Sequence, residues 1–199
     1  MTCVVPIVEG DGEVQALPVL LRRLCQWLTP ASLVDYGRPI RVRRDRFLKR
    51  NTEFRRMLLL AAAKAGDTGW VLVLLDADDD CPVTLALDIA TRARDVLPHR
   101  QISVVCANRE FEAWFLASAE SLHGKRGLRV APRDVPADPD TIRGAKEWLS
   151  RRISAGRYRE TVDQSAFAAT MDLEAARSRS RSFRKLCSDW SAFVAEPIA

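Results

Sequence analysis

Residues 70–80 read Trp-Val-Leu-Val-Leu-Leu-Asp-Ala-Asp-Asp-Asp. Six successive apolar residues run into four acids within five positions. The run Trp70–Leu75 is short for a helix and lacks the alternation of a strand with one wet face. It therefore predicts a strand buried on both sides, as in a parallel sheet. Three further runs fit the same description: Cys3–Val8, Leu33–Tyr36 with its continuation Ile40–Val42, and Ile102–Ala107. Longer amphipathic stretches separate them. Val14–Leu28 places leucine at 17, 20, 21, 24 and 28, and Asn51–Lys64 carries Phe54, Met57, Leu58 and Ala61. A third stretch opens at Cys81-Pro82, where proline suits a first helical turn, and runs to about Leu97. This alternation predicts an α/β chain, a βαβαβαβ parallel sheet flanked by helices. The competing arrangement is an α+β domain with mixed pairing.

Past residue 107 the pattern changes. Arg109–Ala119 predicts a helix carrying Phe111, Trp114, Phe115 and Leu116, and residues 124–139 are rich in Gly, Pro, Asp and Arg, as a long loop is. Helical patterns follow at Thr141–Ile153, Asp163–Thr170 and Phe183–Val194. The expected organisation is a core over residues 1–119, with residues 120–199 forming a loop and helical layer that packs on it as part of a single domain.

The chain has 199 residues, 47% hydrophobic and 29% charged, which excludes a disordered or collagen-like polymer. No apolar run reaches the roughly 18 residues of a membrane span. The N-terminus enters Val4–Val8 without a basic leader, so no signal peptide is expected. Five scattered cysteines without a CxxC pair, and two histidines, argue against a zinc cluster or a disulfide framework. A cytoplasmic protein with no membrane partner is the expectation.

The placement of acids carries the functional signal. Ligands of open α/β sheets bind at the carboxyl ends of the strands. The first strand ends Val8-Glu9-Gly10-Asp11-Gly12-Glu13, with two glycines for a tight turn; the third ends in Asp76, Asp78 and Asp80; the fourth ends Asn108-Arg109-Glu110-Phe111-Glu112. If the third segment stays extended, Asp76, Asp78 and Asp80 share one side. Clustered carboxylates repel unless a cation neutralises them, and an all-oxygen donor set suits Mg²⁺ or Mn²⁺. The plainer alternative is that Asp80 caps the helix opening at Pro82 and Glu13 complements a helix dipole. Three strand ends delivering acids to one edge favour the metal reading.

Val8-Glu9-Gly10, followed by a helix and later by a strand ending Asp76-x-Asp78-x-Asp80, resembles the Toprim fold of topoisomerases, primases and OLD-type nucleases. Glu13 makes the OLD-like version the more similar one. Val8–Leu21, Asn108–Leu116 and Ser178–Leu186 together look like the domain-of-unknown-function 4276 family, small Toprim-like bacterial proteins often encoded beside ABC-type or OLD-type ATPases in defence-like gene neighbourhoods. The resemblance implies a Toprim-like sheet and a Mg²⁺- or Mn²⁺-dependent nuclease with an ATPase partner. It makes Glu9 a metal ligand or general acid–base residue, Asp76 and Asp78 metal ligands, and Asp80 an outer ligand. Glu13 would help hold a second ion, and Glu110 or Glu112 would complete the set. On a helix those two would diverge by roughly 200°, so one of them faces the metal. Arg109, Lys146 and Arg181 are candidates for the base beside the scissile phosphate.

Basic residues form the second signal. Arg38–Arg56 holds nine positive residues against Asp45 and Glu53, exceeding the +5 net charge of the whole chain. Arg41, Arg43, Arg44, Arg46, Lys49 and Arg50, with Arg179 and Arg181 of the Ser/Arg tail, are the candidate nucleic-acid contacts; a solvated face or an acidic protein partner is the alternative. Two further functions stay open: a catalytically weak interaction subunit of an ATPase complex, and a metal-dependent phosphoryl-transfer enzyme acting on nucleotides. Homo-oligomerisation is compatible with each.

Overall fold

The computed structural model describes residues 2–154 and 156–195. Its first half runs β1 (Thr2–Val8), α1 (Asp11–Leu28), β2 (Val34–Tyr36), β3 (Ile40–Arg41), α2 (Arg44–Lys49), α3 (Asn51–Ala65), β4 (Trp70–Asp76), α4 (Pro82–Val96) and β5 (Gln101–Ala107). The sheet has the order β2-β1-β4-β5, and β3 continues along β1 where β2 stops. Every pairing is parallel, which excludes the mixed-sheet alternative. β2 and β3 share the β1 edge because Gly37 and Pro39 lie between them, and proline has no N–H for the ladder.

Strand alternation sorts the core into two layers. Val4, Val8, Leu72 and Leu74 face the side covered by Leu17, Leu20, Leu21 and Leu24 of α1. Val5, Ile7, Val71, Val73 and Leu75 face Phe54, Met57 and Leu58 of α3 and Ile89 and Ala93 of α4. The chain leaves β1 toward β2 over one face and leaves β4 toward β5 over the other. The crevice between the carboxyl ends of β1 and β4 is therefore the switch point of the sheet, where open α/β folds bind ligands.

The second half contains α5 (Ala113–Ala117), α6 (Ala145–Ser150), a π-helical turn (Glu160–Gln164), α7 (Ser165–Ala168), α8 (Leu173–Arg179) and α9 (Arg181–Ala195). It shares one hydrophobic cluster with the α1 face of the sheet, reaching from Val4 to Trp190 and Val194. Trp190 packs edge-on against Trp70 with ring centroids 5.8 Å apart. Several helices are shorter than their sequence patterns suggest. Arg109 adopts a positive φ of 65°, so the segment after β5 turns before it becomes helical at Ala113. The pattern at Thr141–Ile153 contracts to α6, and that at Asp163–Thr170 to the π turn with α7. Helices α2 and α8 span six and seven residues, too few to display a period. Among the described residues no helix is long and apolar enough to cross a membrane.

The Ser/Arg tail acts as a latch. Ser182 Oγ accepts the Asn108 N–H at 3.2 Å and the Trp114 indole N–H at 2.8 Å, tying α9 to the end of β5. Ser180 Oγ donates to Asp140 at 2.9 Å, and the other Asp140 oxygen accepts the Arg181 N–H. Arg179 donates to the carbonyls of Ala117 and Pro136. Ser182→Ala leaves the buried Trp114 indole N–H and the half-buried Asn108 N–H without a partner, so it should cost about 1–3 kcal/mol in urea unfolding.

Candidate active site

Ile7 pairs with Val73, so Glu9 leaves β1 beside the last turn of β4 into Asp76. Gly10 has φ −93° and ψ 153°, an ordinary extended conformation, and Gly12 lies inside α1. The glycines are thus not needed for a tight turn. Gly12 is needed for space: a Cβ there would overlap Gln164 Oε1 and stand 2.8 Å from the Glu160 carbonyl oxygen. Glu13 Oε2 accepts the N–H groups of Glu9 at 3.0 Å and Gly10 at 3.1 Å. It satisfies donors that the helix start leaves open and fixes the backbone carrying Glu9.

Asp76 is the last residue of β4 and 8% exposed; its Oδ1 accepts the Phe111 N–H at 2.8 Å. Arg44 is turned inward and donates to the Asp76 carbonyl at 3.1 Å. The chain then abandons the extended form, with Asp78 at φ 50°. The expected shared side for Asp76, Asp78 and Asp80 is consequently not formed. Asp78 and Asp80 stand at an exposed rim, held by Arg44 at 3.5 Å and 2.6 Å. The cap of α4 is Cys81 rather than Asp80, and Asp79 pairs with Arg109 and Arg143.

The turn after β5 sends the two glutamates to different places. Glu112 is 0% exposed; its Oε1 accepts from the Tyr158 hydroxyl at 3.0 Å and from the Gln164 amide at 3.3 Å. Glu110 instead accepts the Lys146 N–H at 3.1 Å, in the first turn of α6, and lines the rim pocket with Asp78, Asp79 and Arg109. Lys146 also separates from the other two basic candidates. Its Nζ pairs with Glu160 at 3.1 Å and interacts with Glu9, Glu13, Asp76 and Glu112. Arg109 belongs to the rim through Asp79, and Arg181 is exposed on α9.

Charge within this group is unbalanced. Burial raises the Asp76 carboxyl well above its ordinary range, and Glu13 and Glu112 push it the same way. Burial also raises Glu13, against the pull of its two backbone donors and Lys146. Glu9 is raised by burial, then by Glu13 and Asp78. Glu112 is pushed up to about 8 by burial, with Lys146 and Tyr158 opposing. Burial works against the Lys146 ammonium, yet Glu112, Asp76 and Glu160 outweigh it and hold the lysine charged. With Glu160 the group holds five carboxyls against Lys146 and the Arg44 guanidinium near Glu9, so it needs protons or a further cation to approach neutrality.

The donor chemistry fits a hard divalent ion. Glu9 Oε2 and Glu112 Oε2 are buried oxygens without a hydrogen-bond partner, and the surrounding acids offer oxygen alone. Among the described residues no three His, Cys, Asp or Glu side chains form a ready coordination group. Ligation therefore requires these side chains to rotate toward one another.

The basic candidates divide by position. Arg43 and Arg46 are exposed and line a cleft with Arg41 and Arg56. Arg41 pairs with Asp11 at 3.1 Å, Lys49 pairs with Asp45 at 2.9 Å, and Arg50 is exposed before α3. Arg44 and Arg179 are committed to internal contacts and are not free for phosphate as they stand. Sequence reasoning missed Tyr158, Glu160 and Gln164, which sit in a segment without hydrophobic period. π turns are frequent at functional sites, but nothing in a single sequence marks one.

A family model described as Domain of unknown function (DUF4276) matches residues 8–189. The chain belongs to this family. The DUF4276 span begins at the tip of β1 and ends in α9, so it includes every acid of the site and the serine latch. No curated protein and no solved structure matches the chain.

The raised carboxyls set a pH dependence. A carboxyl whose folded pKa lies above its unfolded value stabilises the fold below the unfolded pKa, near 4.3, and loses that contribution as pH rises through the folded value. For Glu112 the window runs from about 4.3 to about 8. Urea unfolding in chelator should show stability falling across this window, by up to about 1.4 kcal/mol per pH unit for each proton released. Glu112→Gln should flatten the profile; an unchanged slope would show that Glu112 ionises normally.

Proposed function

We propose that this chain is a metal-dependent nuclease of Toprim and OLD type that hydrolyses nucleic-acid phosphodiester bonds, in a bacterial defence or repair system with an ABC- or OLD-type ATPase partner. The observation that carries the reading is that Glu9, Glu13, Asp76 and Glu112 lie in electrostatic reach of Lys146 near the β1/β4 switch point, with a buried oxygen of Glu9 and of Glu112 left without a hydrogen-bond partner. The order Val8-Glu9-Gly10, Glu13 and Asp76 supports the Toprim and OLD comparison, as does the position of Glu9 and Asp76 at strand ends with Glu13 in the first turn of α1. The ATPase partner rests on the resemblance in sequence.

Glu9, Asp76 and Glu13 would hold the ion, with Glu112 behind them. Bound Mg²⁺ or Mn²⁺ would polarise the phosphate and lower the pKa of a water. Glu9 has a buried free oxygen and a carboxyl that burial makes more basic, which suits a base taking a proton from water. Lys146 keeps its charge and can face a phosphate oxygen as negative charge develops. Asp76 is anchored through Oδ1 by the Phe111 N–H, leaving Oδ2 for ligation. Asp78 and Asp80 can join only after Arg44 releases them.

The purified protein should cut DNA or RNA with Mg²⁺ or Mn²⁺, and Asp76→Asn or Glu9→Gln should each lower the rate about 10²–10⁴-fold with the fold retained. Intact DNA and RNA with both the free and the ATPase-bound protein would instead indicate an interaction subunit. Turnover of nucleotides but not polymers would indicate a phosphoryl-transfer enzyme.

A further inference from the structure

Segment 157–160 presents alternate side chains to two sides. Tyr158 and Glu160 turn toward the carboxylates, reaching Glu112 at 3.0 Å and Lys146 at 3.1 Å. Arg157 and Arg159 are exposed on the other side. With Arg126, Ile153 and Asp163 they line an open groove behind the wall that holds the site. Asp163 is already committed: it is buried, pairs with Arg126 Nε at 3.0 Å and accepts the Arg159 N–H at 2.8 Å. Its charge fixes the groove wall, and among the described residues Arg157 and Arg159 have no acidic partner.

A second basic cleft lies across the molecule, lined by Arg41, Arg43, Arg46 and Arg56, with Glu53 neutralising Arg56 at 2.9 Å. The two belong to opposite layers. Tyr158 packs in the α1 layer, whereas Val42, Phe47 and Met57, beside the second cleft, pack in the α3 and α4 layer. The carboxylates sit at the strand ends between these layers. A mononucleotide gathers its phosphates at one point and would use one basic lobe. Two lobes with the acids between them suit a chain of phosphates.

We infer that the substrate is a polynucleotide strand whose backbone crosses the carboxylate pocket, with flanking phosphates held by Arg157 and Arg159 on one side and by Arg43 and Arg46 on the other. This rests on the nuclease reading for the role of the pocket, but strand binding can be measured without cleavage. Labelled single-stranded DNA and RNA oligonucleotides, titrated in chelator with the full chain, give affinity and its salt dependence. Arg157→Gln with Arg159→Gln should weaken binding about tenfold and reduce the log–log salt slope by about 1.4, the loss of two phosphate contacts on a single strand. Arg157→Lys with Arg159→Lys should keep most of both. An unchanged affinity and slope in the glutamine pair, or no binding by the wild-type chain, would overturn the inference. Hydrolysis of bis(p-nitrophenyl) phosphate by the wild-type chain with Mn²⁺ tests the catalytic reading separately. Its absence beside weakened strand binding in the glutamine pair would remove the nuclease and keep the groove; its presence beside unchanged binding would do the reverse.

Discussion

The site depends on one electrostatic constraint: several carboxylates withdrawn from water share Lys146, with only Arg44 acting on Glu9 from the rim. Asp76 and Glu112 are nearly or fully buried, and Glu13 is buried while capping α1. Neighbouring acids in such surroundings raise one another's pKa, and Lys146 and Arg44 cannot neutralise Glu9, Glu13, Asp76, Glu112 and Glu160 together. Much of the fold near the crevice serves to hold this arrangement. Phe111 N–H, Tyr158, Gln164 and the backbone of Glu9 and Gly10 all direct a bond at one of the acids. The charge imbalance is the feature that a divalent ion would resolve.

Sheet and helix order were legible because their cause is local. Buried strands must be continuously apolar, so Trp70–Leu75 and Ile102–Ala107 announce themselves, and the leucines of α1 repeat with the helical period. Positions of acids at strand ends followed from the same reading. What failed was the local geometry after each strand. Asp78 and Arg109 take positive φ, a choice made by contacts such as Asp78 N–H to the Arg109 carbonyl at 3.0 Å rather than by residue type. Those two turns send Asp78 and Asp80 to the rim and separate Glu110 from Glu112.

Long-range partners were equally hidden. Lys146 lies far along the chain from Glu9, and its selection over Arg109 and Arg181 depends on where α6 docks. The π turn follows from packing as well: α1 can approach it because residue 12 has no side chain. Basic residues teach a related lesson. Arg44 and Arg179 count as positive charge in composition, yet each is consumed internally, whereas Arg157 and Arg159 in an unremarkable loop are exposed and have no acidic partner among the described residues.

The most direct test of the account is a crystal structure of the full chain soaked in Mn²⁺, with the ion located by its anomalous signal. A peak in the β1/β4 crevice touching Glu9 and Asp76, with Lys146 still alongside, is the predicted result. Manganese confined to the exposed Asp78–Asp80 rim, or absent at saturating concentration while Glu9 and Asp76 keep their present partners, would contradict it.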